Sequence, residues 1–263
     1  MERQEDPFYI GYLPKAPAPL GKWLKPRVAL LLVIPLLLAV LLIRGQKAFD
    51  AAFFEFGNVR QLEGVLLSQP YPMLAVERPG LGETGSAGRS LYLLTVFGKK
   101  GAESMVDGHE GQRVRLRGSL IYRDDQTMLE VEEGSLQVLV QETPQTGKDR
   151  VLGEVSLVGE IVDSKCFWGV MNPGNLKTHK SCAVRCISGG VPPVLLVRDR
   201  DGNAIYFVLA DSDGGAVNTQ IPEWVAQPVR ITGTLVQWED RFVLKADPKT
   251  YSRPSEPDAG AGK

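Results

Sequence analysis

The stretch Gln112-Arg113-Val114-Arg115-Leu116-Arg117-Gly118-Ser119-Leu120 returns 115 residues later as Gln227-Pro228-Val229-Arg230-Ile231-Thr232-Gly233-Thr234-Leu235. Both copies alternate apolar and polar side chains, the period of two that marks a half-buried strand. Val114 and Leu116, like Val229 and Ile231, are expected to face a core and the intervening residues to face away. A glycine at the same place in each strand predicts a bulge or a sharp bend. Downstream, Met128-Leu129-Glu130-Val131 and Arg241-Phe242-Val243-Leu244 read as matching strands after turns at Asp124-Asp125 and Glu239-Asp240. Upstream, Leu62-Glu63-Gly64-Val65-Leu66-Leu67-Ser68 pairs with Val158-Gly159-Glu160-Ile161-Val162-Asp163, the glycines 95 apart. Leu91-Tyr92-Leu93-Leu94 pairs with Ile205-Tyr206-Phe207-Val208, the tyrosines 114 apart. The growing offset places an insertion of about 19 residues in the second repeat, between its first strand and its Tyr206 strand. The first repeat is expected to span that gap with the Gly-rich Arg78–Arg89 loop.

Short, bent strands with a glycine inside them resemble the oligonucleotide/oligosaccharide-binding barrel, the OB-fold. That resemblance implies a mainly β chain with two small OB-like barrels at 50–141 and 150–251; a two-domain β-sandwich is the alternative. Gln141-Glu142-Thr143-Pro144-Gln145-Thr146-Gly147-Lys148 reads as the linker. The Pro-, Gly-, Ala- and charge-rich residues 252–263 read as a disordered tail.

Val28–Ile43 is sixteen residues without a charge, between Arg27 and Arg44. It predicts one transmembrane helix at 27–44, its flanking arginines snorkelling towards the interface. A cleavable signal peptide is the competing reading, but no small-x-small site follows at Ile43–Ala48. Residues 1–26 form a leader with Pro7, Pro14, Pro17 and Pro19, expected to be extended, and a Phe8-Tyr9-Ile10-Gly11-Tyr12 cluster. Lys15, Lys22, Lys25 and Arg27 before the span outnumber Arg44, Lys47 and Arg60 after it. This bias places the N-terminus in the cytoplasm and the remainder in the periplasm or outside the cell. Residues 1–47 carry seven basic and three acidic side chains, a balance of +4, which leaves −5 for the rest of a chain whose total is −1. A mildly acidic outer part disfavours nucleic acid as a partner.

The insertion, 165–193, holds all three cysteines and one of the two histidines within 21 residues. Thr178 is expected to cap a short helix that Gly189-Gly190 and Pro192-Pro193 end. On it His179, Cys182 and Cys186 share a face with Ala183, and Cys166 arrives from the preceding strand. Thiolate and imidazole donors suit zinc, copper or iron, and Met171 is a spare thioether. A disulfide from Cys166 to Cys182 or to Cys186 competes with the metal reading, favoured by an outer location. Redox-active thiols compete as well, as do cysteines simply packed as small core residues. Lys165, Lys177, Lys180 and Arg185 would lower thiol pKa values and offer anion or partner contacts. The run from Gly159 to Gly174 with His179, Cys182, Cys186 and Gly189-Gly190-Val191-Pro192-Pro193 resembles a pattern in bacterial membrane-anchored proteins. The resemblance implies a bacterial inner-membrane protein with a shared site and names no reaction.

Elsewhere, His109 in Asp107-Gly108-His109-Glu110-Gly111 reads as a surface turn residue. Asp211-Ser212-Asp213-Gly214-Gly215 lacks the glutamate that a calcium loop of the EF-hand kind needs. Arg113, Arg115 and Arg117 form a weak basic stripe, and Trp224 and Trp238 read as core or rim packing. No Ser/His/Asp set, P-loop or Gly-x-Gly-x-x-Gly occurs. The expected function is a membrane-anchored binding or accessory module rather than an enzyme, serving a redox or metal-handling assembly through another membrane or exocytoplasmic protein. Two further readings are a thiol-redox or metal-transfer protein acting through Cys182 and Cys186, and a nucleic-acid-binding barrel pair.

Overall fold

A computed structural model describes residues 18–46, 52–78, 88–141 and 150–255. The aromatic cluster at 8–12, Lys47, residues 79–87, residues 142–149 of the linker and the end of the tail lie outside the described residues. The chain divides into two units, Met1–Asp50 and Ala51–Lys263.

The first unit holds one helix, α1 (Ala18–Gln46), whose Ala18–Arg44 portion is long and apolar enough to cross a membrane. It starts nine residues before the expected 27–44 span, so the last part of the leader is helical rather than extended. Pro19 falls in the first turn, where its missing N–H has no partner to lose, and Pro26 and Pro35 lie inside. Such a helix is consistent with a membrane anchor or a signal sequence.

In the second unit, β1 (Ala52–Leu67), β2 (Met73–Arg78), β3 (Gly88–Val96), β5 (Gln112–Arg123) and β6 (Gln126–Val131) close on themselves as a ring, β1-β2-β3-β6-β5-β1. The two-residue β4 (Lys100–Gly101) pairs with β3, β7 (Gln137–Gln141) extends β5, and the one-turn α2 spans Glu103–Val106. The second repeat forms a closed barrel from β8 (Arg150–Asp163), β9 (Pro193–Arg198), β10 (Ala204–Ala210), β11 (Pro228–Trp238) and β12 (Arg241–Lys245). The pairing scheme is the same in both. The third strand runs parallel to the last, Leu93 opposite Met128 and Val208 opposite Val243, and the other ring pairs are antiparallel. Closure disposes of the β-sandwich alternative.

Neither glycine sits at a bulge, one of the two features expected of them. At Gly118 a Cβ would collide with the Glu130 carbonyl oxygen, and at Gly233 with that of Lys245. The register shifts lie elsewhere, between Phe54 and Val59, between Arg113 and Val114 and between Leu235 and Val236. Both strands need glycine because the neighbouring backbone crosses them too closely for any side chain.

The apolar runs explain how the two repeats meet. Leu66, Leu74, Tyr92, Leu94 and Leu129 fill the core of the first ring. Ile161, Leu195, Phe207, Leu209 and Leu244 fill the second. Their sequence neighbours Leu67, Met73, Leu93 and Met128 join Val162, Val194, Leu196, Val208 and Val243 in a third core between the repeats. These strands are therefore buried on both faces, one inward and one against the other repeat. Polar groups bridge the same interface. The Tyr71 hydroxyl donates to Leu209 O (2.9 Å) and accepts from Val217 N (3.1 Å), and the Tyr206 hydroxyl donates to Asp124 (2.6 Å).

Candidate metal centre

The insertion sits between β8 and β9, in place of the short 68–72 connection of the first repeat. The Arg78–Arg89 loop is not its counterpart; that loop corresponds to the 199–203 turn of the second repeat. β8 ends at Asp163, fully buried, and the chain passes into a π-helical turn, Cys166–Val170. Asp163 Oδ1 accepts the Cys166 N–H at 2.7 Å, which orients the turn. Phe167 and Trp168 from that turn enter the core between the repeats.

α3 (Leu176–Ser188) then returns across the site. Its N-cap is Asn175 rather than Thr178, whose hydroxyl donates back to Asn175 O from within the first turn. Glu160 accepts the Leu176 N–H at 2.5 Å, a carboxylate at the positive end of the helix. Burial raises the Glu160 pKa above the usual carboxylate range. At the other end Gly189 N donates to Arg185 and Cys186 carbonyls, as the Gly-Gly stop predicts. Ala183 and Ile187 dock into the second barrel's core, which turns the neighbouring His179, Cys182 and Cys186 towards Cys166.

The four expected donors gather around Cys166 as two overlapping sets, with a fifth donor, Asp163, that the spacing did not name. Cys166 Sγ lies 3.9 Å from Cys182 Sγ and 3.9 Å from Cys186 Sγ. Two triads share Cys166: Cys166, His179 and Cys182, and Asp163, Cys166 and Cys186, the donor atoms of each within 4.8 Å of one another. Asp163 Oδ2 is 3.1 Å from His179 Nε2, the carboxylate–imidazole contact that fixes ring orientation beside a metal. All three thiols are free. Cys166 is equidistant from both disulfide partners considered for it and beyond the roughly 2.05 Å of an S–S bond from either.

The thiols differ electrostatically. The Cys166 pKa is pushed up, first by its side-chain hydrogen bond with Cys186, then by burial and the Asp163 charge. The same contact shifts Cys186 down. The cation that touches a thiol is Lys99, from the β3–β4 turn of the first repeat, with Nζ 2.7 Å from Cys182 Sγ. That bond raises the Lys99 pKa.

The cations expected to serve the site are otherwise placed. Lys165 is only 3% exposed, and its ammonium is spent on Glu130 (2.5 Å) and the carbonyls of Val96 and Gly98 (both 2.7 Å), so it offers no anion contact. Lys180 donates to Glu223 O, while Lys177 and Arg185 remain at the surface. Met171 is exposed. Outside the cluster, His109 pairs with Gln112 in its turn, and Asp211 holds its own loop through Asp213 N and Gly215 N. Trp224 packs edge-on against Tyr251, and Trp238 lies against the core between the repeats. The arginine stripe is matched by carboxylates: Arg113 to Glu77, Arg115 to Glu63 and Arg117 to Glu132.

No protein-family model and no curated protein matches the chain. Among solved structures, it is similar to a deletion mutant of the single-stranded DNA binding protein from Thermus aquaticus, at 16% identity over 79% of this chain and 90% of that one. The TM-score is 0.22, too low to carry a functional argument.

Proposed function

We propose that this chain is a membrane-anchored exocytoplasmic binding or accessory module that holds one thiophilic metal ion at Cys166, His179, Cys182 and Cys186, with Asp163 orienting His179. The carrying observation is the sulfur spacing. A tetrahedral ion with sulfur ligands at about 2.3 Å sets those sulfurs about 3.8 Å apart, and both Cys166 pairs stand at 3.9 Å. Zinc is the reference ion; copper and iron draw on the same donors. In this reading each repeat is an OB-like barrel, 50–141 and 150–251, the span at 27–44 is retained as an anchor, and the barrels lie outside the cytoplasm of a bacterial inner membrane. The partner is another membrane or exocytoplasmic protein.

Metal content and free thiols of the detergent-purified full chain test the reading. It predicts about one ion per chain and thiols that react only after chelation. Metal-free protein with a single reactive thiol would replace it with the disulfide. A second reading, a thiol-redox or metal-transfer protein working through Cys182 and Cys186, is supported by the Lys99 contact, since an adjacent ammonium favours thiolate. A nucleic-acid role is disfavoured by the paired arginines and the net charge.

A further inference from the structure

The donor shell is lopsided. Asp163 and Cys186 are at most 1% exposed and Cys166 and His179 5%, whereas Cys182 reaches the surface. A single sulfur thus stands at the rim of an otherwise buried donor set. That sulfur is met by an exposed ammonium carried on a backbone held in place. Lys165, from the insertion itself, bonds the carbonyls of Val96 and Gly98 just before Lys99. Just after it, Gly101 N donates to Gly189 O at 2.8 Å. Gly189 has no room for a Cβ because the Lys99 carbonyl occupies that space. The turn bearing Lys99 is thus held by the insertion on both sides, by Lys165 before it and by the C-terminal end of α3 after it, and its side chain falls on Cys182.

We infer that Cys182 is the exchangeable ligand: the ion enters and leaves through it by ligand exchange with a thiolate of an incoming protein or peptide, while Lys99 holds the displaced sulfur. The inference rests on the metal reading above. In the step, the metal–sulfur bond to Cys182 breaks and a metal–sulfur bond to the incoming thiolate forms. Each sulfur keeps its electron pair, and the oxidation state of the ion is unchanged. The freed Cys182 thiolate accepts a charge-assisted hydrogen bond from the Lys99 ammonium. Cys166, Cys186 and His179 keep the ion seated until a second incoming ligand takes it.

The test loads the full chain with zinc and follows transfer to an excess of a chromophoric chelator, with and without glutathione as the thiol probe. Glutathione accelerates release from the native chain. Lys99→Met keeps about one zinc per chain but loses about tenfold of that acceleration, the size expected for one hydrogen bond to a charged group, and Lys99→Arg recovers most of it. Cys182→Ser has one ligand fewer, so it holds zinc more weakly through the buried donors and releases it faster without glutathione, which then accelerates release less than in the native chain. Lys99 is exposed, so its variants fold, which circular dichroism verifies. Stoichiometric zinc with glutathione-assisted release unchanged in both Lys99→Met and Cys182→Ser overturns the exchange route and leaves the metal site standing. A native chain that takes up no zinc overturns both.

Discussion

Replacing Arg241 with methionine tests whether the two repeats fold as one body. The Arg241 guanidinium is 3% exposed and lies at the interface between the repeats. Its Nε and Nη2 donate to Leu91 O at 2.8 and 2.5 Å, Nη2 also donates to Thr127 O at 2.7 Å, and Nη1 bonds the Gln126 side chain. Asp240, its neighbour in sequence, accepts the Leu91 N–H at 2.9 Å. One side chain of the second repeat therefore satisfies three acceptors of the first, with Asp240 adding a fourth link. Burial lowers the Arg241 pKa to about 10, still charged at neutral pH. Methionine fills a similar volume and donates nothing, so three buried or half-buried acceptors lose this donor. At about 1–3 kcal/mol for each unsatisfied group, softened by relaxation, the loss is about 3–5 kcal/mol. For a unit of this size that corresponds to a Tm lower by about 10 °C. Differential scanning calorimetry of the Ala51–Lys263 unit measures it. Arg115→Met, which breaks only a partly exposed pair with Glu63, is the control and should cost under about 1 kcal/mol. The native unit should unfold in one transition. Two separate transitions, or an Arg241→Met loss no greater than the control, would refute the shared core.

Asp163→Asn keeps the shape but removes the charge facing His179 and the Cys166 N–H, and should weaken zinc binding about 10- to 100-fold by competition titration. Gly233→Ala sets a Cβ against the Lys245 carbonyl and should destabilise the unit by about 2–3 kcal/mol in urea; Gly118→Ala should behave alike. Because the folded Glu160 pKa is raised, the folded state holds that proton more tightly. Its contribution is fully present below the unfolded value of 4.5 and is lost as pH rises through the folded value. Denaturation of metal-free protein between pH 4 and 7 should show this fall, and Glu160→Gln should flatten it.

Much of the fold was legible because its signals are local. The alternation around Val114 and Leu116, and again around Val229 and Ile231, marks strands whose burial follows that period. The paired glycines mark the crossings, although as close approaches rather than bulges. The uninterrupted run Leu91-Tyr92-Leu93-Leu94 carried a second message. A strand with no polar face is buried on both sides, and here the second side is the other repeat. The insertion was legible at 165–193, after the strand that ends at Asp163, but its counterpart in the first repeat, the 68–72 connection rather than the Arg78–Arg89 loop, had to come from the structure.

The candidate site was legible where one segment carries it. Cys166, His179, Cys182 and Cys186 lie close in sequence, and the helical period turns the last three to one side. Asp163 was within reach of the same reading, three residues before Cys166 at the end of a predicted strand. Thr178 drew the cap assignment from Asn175 because both are good caps and the local pattern does not separate them. Lys99 left no signal. It lies 83 residues from Cys182, and only the packing of the two repeats brings them together.

X-ray absorption at the zinc edge of the loaded full chain addresses the central claim most directly. The metal centre proposed here predicts about three sulfur neighbours at about 2.3 Å and one nitrogen at about 2.0–2.1 Å, with the sulfur count falling by one in Cys166→Ser. An ion surrounded only by oxygen and nitrogen, or a native chain that retains no ion, would contradict it.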